Sequence, residues 1–226
     1  MVGSGPAGLM AARAAADQGQ RVILCELEPH FGGSANWSGE TVDGTPAADW
    51  AARAVGQLEG HDNVRLLPRT TVWGYYDGNT LAALERVTDH KEAPAKGEPR
   101  HRYWAIRAKS VVLATGSFER PLVFPGNDRP CVMLAHAAER YANEYGVLPG
   151  DRIALFTNND SAYRSALALK NAGARSSPSS MFARTCRARW ASWPPRPKPR
   201  SCPVMPWSPP KAARRFPASR CSVSTW

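Results

Sequence analysis

Six residues at the start of the chain, Gly3-Ser4-Gly5-Pro6-Ala7-Gly8, constrain its fold more than any other feature. The spacing Gly-x-Gly-x-x-Gly asks for a tight turn at Gly3, a bare backbone at Gly5 and close helix–strand packing at Gly8. The Ala-rich stretch that follows, Leu9 to Asp17, reads as a helix. Its free opening amides and positive dipole end suit a diphosphate. The run Arg21–Glu26 (RVILCE) then reads as a buried parallel strand closed by an acid. Read alone, the motif is no more than a glycine-rich helix start.

Its context makes it a dinucleotide fingerprint. Glu26 stands eighteen residues after Gly8, where an acid accepts hydrogen bonds from ribose hydroxyls. Glu28 is the reserve, and a solvated strand end is the plainer alternative. A carboxylate there repels a 2′-phosphate, which favours NAD or FAD over NADP. Gly32-Gly33 sits where a second glycine pair lets backbone approach the cofactor; an ordinary loop is the other reading. Val111-Val112-Leu113-Ala114-Thr115-Gly116 matches the apolar strand ending in Ala-Thr-Gly that returns the chain to the cofactor in flavoproteins with two dinucleotide domains. The fold class that follows is α/β, a Rossmann-like FAD/NAD(P)-binding domain with a parallel sheet.

Further along, residues 46–59 read as an amphipathic helix, and 65–67, 70–76 and 103–108 as strands. Residues 77–99 read as polar surface, and Ser110–Ala114 as a buried strand. Residues 132–146 read as a helix with Gly146 at its C-cap. A strand from Asp151 to Phe156 and a helix from Ser161 to Ala172 open a second, incomplete dinucleotide-binding unit without a Gly-x-Gly-x-x-Gly turn. Asn158, Asn159 and Asp160 fill that turn, as helix caps or as ligand contacts. The expected organisation is 1–150 for the nucleotide-binding domain, 151–175 for the start of the second unit, and 176–226 for a tail.

Two departures stand out. Only Met1 and Val2 precede Gly3, whereas a central strand needs about five residues, so the first strand reads as largely missing or its start as misplaced. The tail holds eight Arg, two Lys and no acid. Without those ten, the chain has 19 basic residues against 19 acids, so the net charge of +10 belongs to the tail. The folded part thus has no electrostatic footprint for nucleic acid. Ten Pro and ten Ser suit a disordered basic tail. Four Trp suit it poorly, and a shifted reading frame is the alternative: with GC-rich codons, residues 175–181 read from the last base of the Arg175 codon become Val-Val-Ala-Val-Val-Asp, a buried strand.

Thr70–Asp77 (TTVWGYYD), Leu84–His90 (LERVTDH), Glu119–Pro125 (ERPLVFP) and Phe156–Tyr163 (FTNNDSAY) together resemble the alpha subunits of heterotetrameric sarcosine oxidases, over residues 2–175. Opine oxidases and cyanide-forming glycine dehydrogenases have related subunits. The resemblance implies an oxidoreductase acting on the CH–NH group of sarcosine, with NAD in this domain, FAD as the alternative occupant, and FAD and FMN elsewhere in a complex with beta, gamma and delta subunits. It carries over the nucleotide positions Gly3, Gly5, Ala7, Gly8, Glu26, Leu27, Gly33, Ser34, Val72 (through its backbone, at adenine), Thr115 and Gly116. It offers no catalytic and no metal residue.

The five cysteines form no CxxC pair, no apolar run reaches the length of a membrane span, and a cytoplasmic location is expected. The five histidines read as surface or structural, Cys25 as a small core residue, and Trp50 and Trp73 as core. Against the subunit reading stand an independent FAD/NAD-dependent reductase and a non-functional gene fragment.

Overall fold

The computed structural model describes residues 1–157, 161–176 and 220–224. The chain divides into two compact units, Met1–Phe118 and Glu119–Trp226.

In the first unit, α1 (Pro6–Asp17) begins with proline at its first position, where no amide is missed. Gly8, Leu9, Ala12 and Ala16 form its buried face, spaced one helical turn apart. Gly19, with φ 72°, turns the chain into β1 (Val22–Cys25). A hairpin of β2 (Thr41–Val42) and β3 (Thr45–Pro46) turns at Asp43-Gly44, both at positive φ, as tight hairpins prefer. It leads into α2 (Ala47–Glu59), which buries Ala47, Ala51, Ala54 and Leu58. Then β4 (Val64–Leu67) pairs parallel with β1. Leu9, Leu24 and Leu58 are fully buried at the centre of this core, and the alanines let the two helices approach closely.

The place between β1 and the returning chain is held by Val2. It makes isolated parallel bridges to Cys25 on one side and Leu113 on the other. The Val2 amide donates to Val112 O (2.9 Å), Ala114 N donates to Val2 O (2.8 Å), and Gly3 N donates to Cys25 O (2.9 Å). Two residues thus join three segments, and this limits what residues 110–114 can form. The expected buried strand is reduced there to a single bridge at Leu113, which is 61% exposed. A partner of one paired residue cannot align a longer ladder.

Residues 77–99 are not all surface. They include β6 (Thr80–Arg86), the middle strand of an antiparallel meander with β5 (Thr70–Tyr76) and β7 (His101–Arg107). Leu81, Ala82 and Ala83 are buried in it. The Leu-Ala-Ala-Leu run has weak strand propensity, so pairing on both sides decides the outcome. Trp73 is 57% exposed, a correction to its expected core position, because a bulge between Val72 and Gly74 places it outward with Tyr76 and Tyr103. Trp50 packs against the first core.

The second unit is a parallel sheet in the order β10-β9-β11-β8. Its strands are β8 (Val132–Leu134), β9 (Arg152–Phe156), β10 (Arg175–Ser176) and β11 (Arg220–Ser224). β11 lies inside the stretch read as tail; the rest of that stretch, apart from Ser176, and the Asn158–Asp160 turn lie outside the described residues. α3 (Ala135–Tyr145) ends at Gly146 in the left-handed conformation. With α4 (Ala162–Asn171) it packs around Ala138, Ile153, Leu155 and Leu169. Residues 132–145 thus join the second unit, ahead of the division at 150 expected from sequence, because their apolar face meets β9 and α4. In the same unit Ser165, fully buried, donates to the buried Glu139 (2.7 Å). The Glu119 side chain, 6% exposed, accepts from His136 N at the start of α3 (2.9 Å). Burial pushes its carboxyl above the ordinary 4.5, against the opposing pull of that amide and the His136 charge.

Two outcomes follow. A methyl group at Gly8 would lie 2.0 Å from the Gly3 carbonyl oxygen, so Gly8→Ala should lower stability by about 1–3 kcal/mol in urea unfolding. An acid with a raised folded pKa contributes stability that is full below 4.5 and is lost as pH rises through the raised value. Glu119→Gln keeps the acceptor for His136 and removes the titration. It should flatten the decline in stability above pH 4.5, and an unchanged pH slope would assign the decline to other groups.

Candidate functional site

The turn out of Val2 is built from backbone alone. Gly3 has φ 91°, and a Cβ there would lie 2.4 Å from Ala114 O. Gly5 is the N-cap of α1, with no side-chain cap hydrogen bond and no acid in the first turn. A Cβ at Gly5 would meet nothing within 4 Å. Pro6 and Ala7 are exposed. The helix therefore presents the positive end of its dipole and uncapped first-turn amides to an open space beside Gly5, the arrangement that attracts an anion.

Glu26, the residue after β1, is buried at 7% exposure. Its Oε2 accepts from Ser4 N (2.9 Å) and from Ser4 Oγ (2.5 Å), and its Oε1 accepts from Glu28 N (2.9 Å). The strand-end acid is thus aimed at the glycine loop and held there. Behind it, burial pushes the Cys25 thiol up, which keeps it protonated and inert as a core residue.

The second glycine pair reaches the same place. Gly32 (φ 122°) and Gly33 (φ 55°) turn the chain into a single 3-10 turn, Gly33–Asn36. A Cβ at Gly33 would be 3.0 Å from Gly5 Cα, so the two loops touch backbone to backbone. The Gly32 amide donates to both Ser4 O and Ser4 Oγ, each at 3.1 Å. Ser34 is exposed beside it.

Ala114 backs onto Gly3, and Thr115 and Gly116 follow it, exposed, at the rim. Leu27 is 46% exposed next to Glu26. Thr70 N donates to Glu26 O (2.6 Å) and so attaches β5 to the site; Val72 stands two residues on, half-buried. Gly3, Gly5, Gly8, Glu26, Gly33 and the Ala114–Thr115 backbone therefore converge. Val72 joins them only through the strand it shares with Thr70.

Two residues of the site lie outside the set expected from sequence. Ser4, fully buried, joins loop, acid and second glycine pair; its signal is a hydroxyl at a variable position of the motif. Arg86 donates from Nη2 to Leu27 O (2.6 Å), and its Nε is buried without a partner. It comes from β6, the strand that the sequence pattern hides. The assembly can hold an anion at the helix mouth and a diol at the carboxylate. Among the described residues no group of three metal-ligating side chains gathers, and no helix is long and apolar enough to cross a membrane.

Comparison with known proteins agrees with this geometry. Residues 1–155 match the family model described as pyridine nucleotide-disulphide oxidoreductase. The chain is 48% identical over 173 residues to the alpha subunit of sarcosine oxidase from Rhizobium meliloti (strain 1021), covering 76% of this chain and 18% of that protein. It is 30% identical over 159 residues to an opine oxidase subunit of Rhizobium meliloti, covering 68% and 29%. Among solved structures, the L-proline dehydrogenase of P. horikoshii superposes with a TM-score of 0.62 at 26% identity, covering 77% of this chain and 33% of that one. The chain thus spans under a third of the length of either curated relative. The resemblance and the Rossmann-like α/β class read from the sequence are both borne out. With its glycine loop, strand-end acid and returning Ala-Thr-Gly segment in place, the chain belongs to the pyridine nucleotide-disulphide oxidoreductase family.

Proposed function

We propose that residues 1–118 bind a dinucleotide, NAD, through its adenosine diphosphate half, as part of an oxidoreductase subunit of the sarcosine oxidase alpha kind. One observation carries the reading. An uncapped helix N-terminus opens beside a carboxylate that the same loop has turned inward.

The residues fit the group. The empty volume at Gly5 suits a diphosphate, with the amides of Ala7 and Gly8 as donors. Glu26 supplies acceptors for the adenosine ribose, with Leu27 at its side, and Gly33, Ser34, Thr115 and Gly116 close the rim. Val72 faces adenine through its backbone. A nicotinamide dinucleotide, when bound, supplies hydride transfer. FAD shares the same half and is the alternative occupant. A 2′-phosphate would meet a carboxylate whose hydrogen-bond donors are the backbone and hydroxyl of neutral groups, which disfavours NADP.

The identity of 48% to a sarcosine oxidase alpha chain supports sarcosine demethylation as the activity of the parent complex, with FAD and FMN elsewhere and beta, gamma and delta subunits as partners. The 30% identity to an opine oxidase subunit keeps a related amine or opine oxidation as the second reading. The reading carries a cytoplasmic location, where thiols such as Cys25 and Cys131 stay reduced.

Thermal melting tests the site without any turnover. NAD at a hundredfold excess over its Kd should stabilise the chain by about 2.7 kcal/mol, and NADP at the same concentration by at least about 1.4 kcal/mol less. Gly5→Ala should cost the ligand-free chain no more than an N-cap change, about 1 kcal/mol, since its Cβ meets nothing, and should remove the NAD shift by filling the diphosphate volume. A melt unmoved by NAD in the wild-type chain sinks the reading.

A further inference from the structure

We propose that Ser4 is a positioning residue that sets the grip of the site on the adenosine ribose by fixing the Glu26 carboxylate. The inference rests on the nucleotide reading above and deepens it.

The direction of each hydrogen bond at Ser4 Oγ is forced. The Gly32 amide, 3.1 Å away, only donates, so the hydroxyl oxygen accepts there. Its single proton therefore goes to Glu26 Oε2 at 2.5 Å. An ionised carboxylate offers about four acceptor directions. Ser4 N and Ser4 Oγ occupy those of Oε2, and Glu28 N occupies one of Oε1. What remains for a sugar hydroxyl is on Oε1. The carboxylate is pinned at both oxygens, from the loop on one side and from its own strand end on the other. Its one open direction is therefore set before any ligand arrives.

Ser4 is 0% exposed, so no bulk water replaces its hydroxyl when it is removed. In Ser4→Ala, Oε2 keeps only the Ser4 amide, and the Gly32 amide keeps only Ser4 O. The second glycine pair remains beside Gly5 through that backbone bond. The diphosphate space at Gly5 keeps its shape, while the carboxylate gains freedom to turn. The effect of the substitution should therefore appear at the ribose and not at the diphosphate.

Calorimetric titration of the full chain with ADP and with 2′,3′-dideoxy-ADP separates the two. Ser4→Ala should weaken ADP by about tenfold, a measurable step in Kd. It should leave the affinity for the dideoxy compound as in the wild-type chain. Ser4→Cys, which keeps the size and weakens the donor, should fall between; it also serves if Ser4→Ala fails to fold, a condition that ligand-free melting reports. An equal loss for both ligands, or no loss for either, overturns the role of Ser4 while ADP binding by the wild-type chain still upholds the nucleotide site. Absence of ADP binding by the wild-type chain overturns both.

Discussion

The hydrogen bonds between the Glu26 carboxylate and the amide and hydroxyl of Ser4 govern the rest of the first unit. They connect the end of β1 to the turn ahead of α1. The Ser4 oxygens in turn hold the Gly32 amide, and Gly33 lies against Gly5. Buried polar groups are costly unless fully paired, and paired networks rigidify what they join. Here one buried carboxylate and one buried hydroxyl make three loops into a single wall. An acid in this position without those donors would turn to water or distort the strand end.

The same region uses absence of side chains as deliberately as it uses their presence. At Gly3 and Gly8 a methyl group would strike backbone, so these two positions make the fold. At Gly5 a methyl group would strike nothing, so folding places no demand for glycine there. The three glycines of one motif therefore divide into two that packing requires and one that it does not, a division that spacing alone does not reveal.

Much of this is legible in the sequence. α1, β1, α2 and the Glu26 position follow from glycine spacing, an alanine-rich period and an apolar run closed by an acid, all signals local to about thirty residues. Two elements of the first unit depart from their local signals, each for a non-local reason. β6 is a strand because β5 and β7 flank it, and its Leu-Ala-Ala-Leu sequence carries little preference of its own. Residues 110–114 look apolar enough for a buried strand, yet their neighbour offers only Val2 to pair with, and Leu113 stays exposed. Arg86 is hidden for the same reason as the strand that brings it. A serine inside a glycine motif looks like spacer until its hydroxyl is seen between Glu26 and Gly32.

A site for a dinucleotide faces an electrostatic conflict, since a diphosphate and a carboxylate are both negative and must lie close together. The structure resolves it by dividing the amides of one short segment. Ser4 N is turned back to Glu26, while the amides at the start of α1 are left uncapped and point outward with the dipole. Each negative group thus has its own donors, and neither draws on the other's. A third negative group at the ribose would find the Ser4 and Glu28 amides already committed to Glu26. On the function proposed above, discrimination against a 2′-phosphate follows from how the donors are shared out as much as from the repulsion by Glu26 itself.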